Sequence, residues 1–342
     1  MSEITKNNTK VLIWYFDNSD EENVILGPIA ANIKIIEAEL GVNLIMENGQ
    51  ITIDSSVDVE LISYLKNIFE VMSFLYKENF NIKERDVVSI ITMLKKYPLH
   101  DVKDFYVNRK QVAVTYDGKP ILVKTISQSK YIDALSKNAI TFAYGSAGTG
   151  KTFLAVAYAC GLLKKNKVKK LVITRPVVEA GEKLGFLPGD LKEKIDPYLI
   201  PIYDSLYEIL GKDVTDKLIL KGSIEIAPLA YMRGRTLDNS LIILDEAQNT
   251  TTSQMKMFLT RLGFNSKMII TGDLTQIDLP IYQKSGLKEA INLFDNIEDI
   301  AVVKFDQADV MRHPLVSKII DQYEKNKVER GKNDSSKFNK SN

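Results

Sequence analysis

The chain has 342 residues, 45% of them apolar and 26% charged, a composition ordinary for a globular protein of about two domains. A formal charge of +1 excludes a global basic field, so any polyanion site has to be a local patch. The single cysteine, Cys160, excludes an internal disulfide; the polar stretch Met1 to Lys10 and the lack of an apolar run near 18 residues give a cytoplasmic expectation with no membrane partner.

Val11 to Phe16 reads as a strand, and Val24 to Pro28 leads into Ile29 to Leu40, where Ile33, Ile36 and Leu40 recur at helical spacing until Gly41 stops the run. Val42 to Met46 and Gln50 to Ile53 are β-rich and joined through Asn48-Gly49, a pair suited to the positive φ of a tight hairpin. From Ser56 a long helix follows, its stripe formed by Leu61, Tyr64, Leu65, Ile68, Val71, Met72 and Leu75. The order β, short α, α, β, β, α resembles a KH RNA-binding module of the first type. A KH module clamps backbone with a GXXG loop, and here the matching residues are Gly27, Pro28, Ile29 and Ala30, without the second glycine. Glu84 to Tyr97 is amphipathic and ends at Pro98, so residues 1–97 are expected to form the KH-like N-terminal domain. Val112 to Tyr116 and Ile121 to Lys124 flank Asp117-Gly118, which makes residues 98–127 a β-hairpin linker. A helix over Lys130 to Lys137 then enters the second domain, 128–324.

The apolar run Ile140 to Tyr144 opens into Gly145, Ser146, Ala147, Gly148, Thr149, Gly150, Lys151 and Thr152, continued from Phe153 by a helical pattern. Strand, glycine-rich turn and helix are what a phosphate loop needs: backbone N–H groups curl around phosphate oxygens and the helix N-terminus points at them. Lys151 would reach the β- and γ-phosphates and the Thr152 hydroxyl would ligate Mg²⁺, so ATP and Mg²⁺ are the expected cofactors, held by residues from Gly145 to Phe153. Leu241 to Leu244 ends in Asp245-Glu246, an apolar strand that delivers Asp245 to the metal and Glu246 to the attacking water. Met268 to Thr271 repeats the design and ends in Gly272-Asp273-Leu274-Thr275-Gln276, a turn that offers Asp273 and Gln276 as the expected γ-phosphate sensor. Leu171 to Thr174 and Ala301 to Phe305 add strands, while Ser253 to Leu262, capped by Thr251 and Gln254, and Gly286 to Phe294 add helices. Continuous apolar strands between helices predict an α/β parallel sheet covered on both faces. Arg175 to Asn239 reads as an insertion rich in Pro and Gly, and residues 325–342 as a disordered polar tail.

Ala143 to Ala155, Thr174-Arg175-Pro176-Val177-Val178-Glu179-Ala180-Gly181-Glu182, Leu184 to Gly189, Tyr231-Met232-Arg233-Gly234-Arg235-Thr236, Asp245-Glu246-Ala247-Gln248-Asn249 and Gly272 to Asp278 together resemble the PhoH family. The resemblance runs from about Gln128 to Tyr323 and implies a cytoplasmic ATPase whose core is similar to the first motor domain of superfamily 1 helicases. It makes Gln128 an adenine-reading residue and places Arg175 in a segment that contacts single-stranded nucleic acid. It also implies RNA metabolism and rRNA maturation, with single-stranded RNA and an rRNA-processing endoribonuclease as partners. Some relatives carry a PIN ribonuclease domain, whose dispersed acids the N-terminal pattern here lacks. A homo-oligomer, with a ring of six as the expected form, would let Arg233, Arg235, Arg261 or Arg312 act in a neighbour's site, Arg312 following the last core strand. The residues alone leave open a helicase or remodelling motor, a nucleotide-switched RNA-binding scaffold, and a small-molecule kinase.

Overall fold

The computed structural model describes residues 10–176, 191–280 and 282–310 with Val316, Ile319 and Gln322; over 191–198 it describes the backbone alone. The N-terminal unit runs β1 (Lys10–Tyr15), α1 (Ser19–Leu26), α2 (Ala31–Leu40), β2 (Ile45–Glu47), β3 (Gln50–Asp54) and α3 (Val59–Lys77). Its strands form an antiparallel sheet in the order β1-β3-β2. Asn48 and Gly49 take φ of 52° and 70°, the hairpin conformation their sequence favours. Helix α2 starts two residues later than the apolar spacing implies, because Ile29 and Ala30 both sit at φ 53° in a separate turn. For a β-branched residue such as Ile29 that conformation is strained.

Helices α4 (Glu84–Leu94) and α5 (Leu99–Val107) close this unit, and Val102, Phe105 and Tyr106 of α5 share its core with Leu65, Ile68 and Phe69 of α3. The expected linker therefore opens with a helix before its hairpin, β4 (Gln111–Val114) and β5 (Pro120–Leu122), appears. Helix α6 (Ile126–Lys137) begins four residues ahead of the sequence expectation, because Thr125 caps it by accepting from the Gln128 N–H at 3.2 Å.

Six strands build the main sheet: β6 (Ile140–Gly145), β7 (Lys170–Arg175), β8 (Ile224–Pro228), β9 (Ser240–Leu244), β10 (Lys267–Gly272) and β11 (Ile300–Phe305), in the order β11-β6-β10-β9-β7-β8. Every pairing is parallel. Alternate residues serve opposite faces. Leu171, Ile173, Leu241, Ile243 and Ile269 pack with α6, α7 (Lys151–Lys164) and α8 (Leu191–Leu210), whereas Val172, Ile242, Leu244, Met268 and Ile270 pack with α10 (Thr252–Leu259) and α11 (Gly286–Phe294). The stretch Arg175 to Asn239 is more regular than an insertion of loops: it holds α8, α9 (Lys212–Leu220) and β8. Pro197 and Pro201 fall inside α8, yet burial of Leu199, Ile202, Leu206 and Ile209 keeps the helix in place. Among the described residues no helix is long and apolar enough to cross a membrane.

Candidate nucleotide site

Parallel strands bring their C-terminal ends to one edge, and interposing β10 between β6 and β9 sets three chemically distinct tips side by side. The loop after β6 is built as the sequence requires. Gly145 has φ 145°, and a Cβ there would lie 2.1 Å from the Phe305 carbonyl oxygen, so only glycine lets β11 run this close. Lys151 is 7% exposed and donates to the carbonyls of Gly145 at 2.7 Å and Ser146 at 2.8 Å and to Thr149 Oγ1 at 3.1 Å. These contacts centre its ammonium within the loop.

At the tip of β9, Asp245 is 6% exposed, and its Oδ1 accepts from Thr152 Oγ1 and from Thr271 Oγ1, each at 2.7 Å. Glu246 follows at φ 52°, a left-handed conformation that costs about 1 kcal/mol for a non-glycine residue and turns its side chain away from that of Asp245. Glu246 Oε1 faces Arg175 Nη2 at 3.1 Å, and its Oε2 accepts from Gln248 Nε2 at 2.5 Å. Gln248 is fully buried. It also donates to the Gln276 carbonyl at 3.2 Å and accepts from the Asp273 N–H at 3.0 Å. Asp273 in turn accepts the Ala147 N–H of the phosphate loop at 3.0 Å, while Thr275 donates to its other oxygen through N–H and hydroxyl.

A cleft of about 260 Å³ opens over these tips, lined by Ala147, Gly148, Gly150, Lys151, Thr152, Phe153, Asp245, Glu246, Gly272, Asp273 and Gln276. The donor set fits a nucleotide with Mg²⁺: oxygen ligands from Thr152 and Asp245 converge at hydrogen-bond distance, and a lysine stands within a loop whose glycine admits no Cβ. Among the described residues no cluster of three His, Cys, Asp or Glu side chains offers a separate metal site.

Most of the expected residues are thus brought together. Gln128 differs, because both ends of its amide bind the chain itself: Oε1 accepts from the Lys124 N–H at 2.7 Å and Nε2 donates to the Thr149 carbonyl at 3.0 Å. In this geometry it braces the phosphate loop. Among the arginines, Arg235 forms a two-pronged pair with Glu225 at 2.6 and 2.8 Å, and Arg261 donates to the carbonyls of Met257 and Arg235. Arg233 is exposed at the turn after β8. Arg312 and the segment from Val177 to Gly189 lie outside the described residues, as does the tail 325–342. Two contributors went unassigned from sequence: Thr271, which orients Asp245, and Gln248, which ties Glu246 to the Asp273–Gln276 turn. A hydroxyl ending an apolar strand and a glutamine two residues after the acids were the available signals.

Fold and site define a P-loop NTPase-type protein of the ATPase kind. A family model described as "PhoH-like protein" matches residues 120–324. A PhoH-like protein of Bacillus subtilis is 50% identical over 308 residues, covering 90% of this chain and 95% of that one. A PhoH-like protein of Mycobacterium tuberculosis is 56% identical over 206 residues, 60% of this chain and 58% of its own length. The chain belongs to the PhoH family. Among solved structures, a Sulfolobus solfataricus SWI2/SNF2 ATPase core in complex with dsDNA is similar at 16% identity and a TM-score of 0.28, over 54% of this chain and 33% of that one.

Proposed function

We propose that this chain hydrolyses ATP with Mg²⁺ and acts on single-stranded RNA. The observation that carries the hydrolytic part is the convergence of Lys151, the Thr152–Asp245 pair and Glu246 on one cleft. Mg²⁺, when bound, supplies charge neutralisation on the phosphate oxygens. Thr152 and Asp245 would hold it, with Thr271 fixing the Asp245 rotamer. Lys151 contributes fixed positive charge where the transferred group becomes more anionic. Glu246 orients the attacking water and accepts its proton, and Gln276, exposed at the cleft rim, contacts the terminal phosphate.

Support for RNA comes from the outer tips of the sheet. Arg175 is in register with Pro228, beyond which Tyr231 is 55% exposed and Arg233 is exposed. Arginines and an exposed aromatic residue carried by neighbouring strand tips suit a single strand, whose phosphates want cations and whose bases stack. Arg235 is left out of this surface by its pairing with Glu225. A second contact is the N-terminal unit: its element order and β1-β3-β2 sheet support reading it as KH-like, with the Gly27–Ala30 loop carrying an Ile29 side chain that is 89% exposed. Family resemblance supports the rest: a cytoplasmic protein of rRNA maturation, working beside an rRNA-processing endoribonuclease as a homo-oligomeric ring.

One observation favours a second reading, a nucleotide-switched scaffold without motor action: both oxygens of Glu246 are engaged by side chains of the same chain. ATP turnover with and without saturating single-stranded RNA decides between them. Stimulation is expected for the ATPase that acts on RNA, and turnover indifferent to RNA that the protein binds selects the scaffold.

A further inference from the structure

Glu246 is held from two sides. Arg175, from the tip of β7, takes Oε1, while Gln248, linked to the Gln276 carbonyl after β10, takes Oε2. In the sheet order, β7 lies on the far side of β9 from the phosphate-loop strand β6, so the guanidinium engages a carboxylate that lines the cleft from the flank opposite that strand. Water activation requires the acid within hydrogen-bond reach of a water placed on the phosphate side.

Arg175 ends β7 between two strand tips, that of β9, which carries Glu246, and that of β8, which leads to Tyr231 and Arg233. Toward β9 the neighbouring tip lines the nucleotide cleft with Glu246; toward β8 the neighbouring tip continues into the exposed Tyr231 and Arg233. A phosphodiester offers an arginine the same anionic oxygens as a carboxylate, so a phosphate that takes Nη2 competes directly with Glu246 Oε1 for it.

We propose that Arg175 is a positioning residue shared by competition: it holds Glu246 toward β7 until a backbone phosphate of a bound single strand takes the guanidinium and releases the carboxylate for water activation. The proposal rests on the RNA-acting ATPase reading above. Because the coupling is between equilibria, it is reciprocal: whatever removes the Glu246 charge strengthens strand binding through Arg175, and strand binding weakens the ion pair.

The test uses the full chain, a labelled oligouridylate and no nucleotide, at one fixed salt concentration. Glu246→Gln is expected to bind the strand on the order of tenfold more tightly than the wild type, the size of a typical site-to-site coupling. Arg175→Gln is expected to bind it more weakly, and the double variant to match Arg175→Gln, its gain lost. In turnover assays without RNA, Arg175→Gln is expected to raise kcat with KM for ATP unchanged and to flatten RNA stimulation; loss of a merely structural contact would lower kcat. Arg175→Lys, which keeps the charge without the fork, is expected to move in the same directions by less, and serves if the glutamine variant does not fold. Strand binding by the wild type that Glu246→Gln leaves unchanged overturns the inference while the RNA reading stands. A gain that persists in the double variant overturns it as well, since it would be a general charge effect. No strand binding by the wild type overturns the RNA reading and the inference with it. An oligodeoxyuridylate run in parallel tells RNA from DNA as the source of the phosphate.

Discussion

The Thr152 hydroxyl donates to Asp245 Oδ1 at 2.7 Å, joining the first turn of α7 to the tip of β9 across the metal position, and Thr271 donates to that same oxygen from β10. Three elements thus agree on one carboxylate rotamer. Thr271→Val removes only the orienting hydroxyl, and outer contacts of this kind change metal affinity by about 10–100-fold. A Mg²⁺ titration of nucleotide binding should shift to higher metal by a factor in that range. Asp245→Asn should shift it further. A Mg²⁺ requirement unmoved by Thr271→Val would mean that its hydrogen bond serves the strand tip alone.

Lys151 and Glu246 predict different kinds of loss. Lys151→Ala withdraws the charge that sits within the loop carbonyls and should abolish phosphate release. Glu246→Gln keeps the shape and leaves the Thr152–Asp245 pair intact, so nucleotide binding should survive while turnover falls by about 100-fold or more. Equilibrium nucleotide binding measured beside single-turnover hydrolysis checks both. Lost nucleotide binding in Glu246→Gln would remove it from the role of water activator.

What could be read from the chain was what local chemistry dictates. The phosphate loop, Asp245-Glu246, the Thr251–Gln254 capping box and the Asn48-Gly49 hairpin each depend on neighbours in sequence, and each is found where the pattern puts it. Gln248 and Thr271 gain their roles only because β10 lies beside β9, a relation between strands that residue spacing does not carry. Helix α8 was hidden by its own prolines, which read as breakers until packing of Ile202 and Leu206 is counted. Helix α5 was hidden by brevity, although Val102 and Phe105 at i and i+3 offered a signal. The Arg175–Glu246 pair was beyond reach, since the sequence separates its members by helices α8 and α9 and strand β8.

Gln128 is a case where a motif and its geometry lead to different measurements. Its amide satisfies the Lys124 N–H and the Thr149 carbonyl, and Gln128→Ala would strand both, at about 1–3 kcal/mol of stability. As a brace of the loop backbone it should affect every nucleotide alike, so ATP and GTP affinities are expected to fall together. Loss confined to ATP would show instead that the amide reads the base.

The Glu225 carboxyl is held down to about 2, first by hydrogen bonds from Arg235 and then by Lys170 at 2.7 Å. Its folded value lies below the unfolded one, so the stability it contributes is present above the usual carboxylate range. That stability is lost as pH falls from about 5 toward 2. Partial exposure screens the pair, which limits Arg235→Ala to about 1 kcal/mol at neutral pH. Denaturant unfolding near neutrality and at about pH 3 should show the variant's deficit at the first and a smaller one at the second.

An arginine supplied by a neighbouring subunit would be worth about 10³ to 10⁵ in rate, and the structure narrows the candidates. Arg235 is committed to Glu225, and Arg261 to the carbonyls of Met257 and Arg235, so moving either would break an ion pair or uncap a helix end. Arg233 is exposed at the sheet edge, and Arg312 lies outside the described residues. Mixing Lys151→Ala subunits with Arg233→Ala subunits, and separately with Arg312→Ala subunits, should restore turnover in whichever pair divides the site between copies. In such a mixture an intact phosphate loop on one copy meets an intact arginine on the next, although each parent is inactive alone. A monomer by light scattering that keeps full activity would refute the shared site. Restoration with Arg312→Ala but not Arg233→Ala would assign the function to the segment after β11, and leave Arg233 to the strand-tip face beside Tyr231.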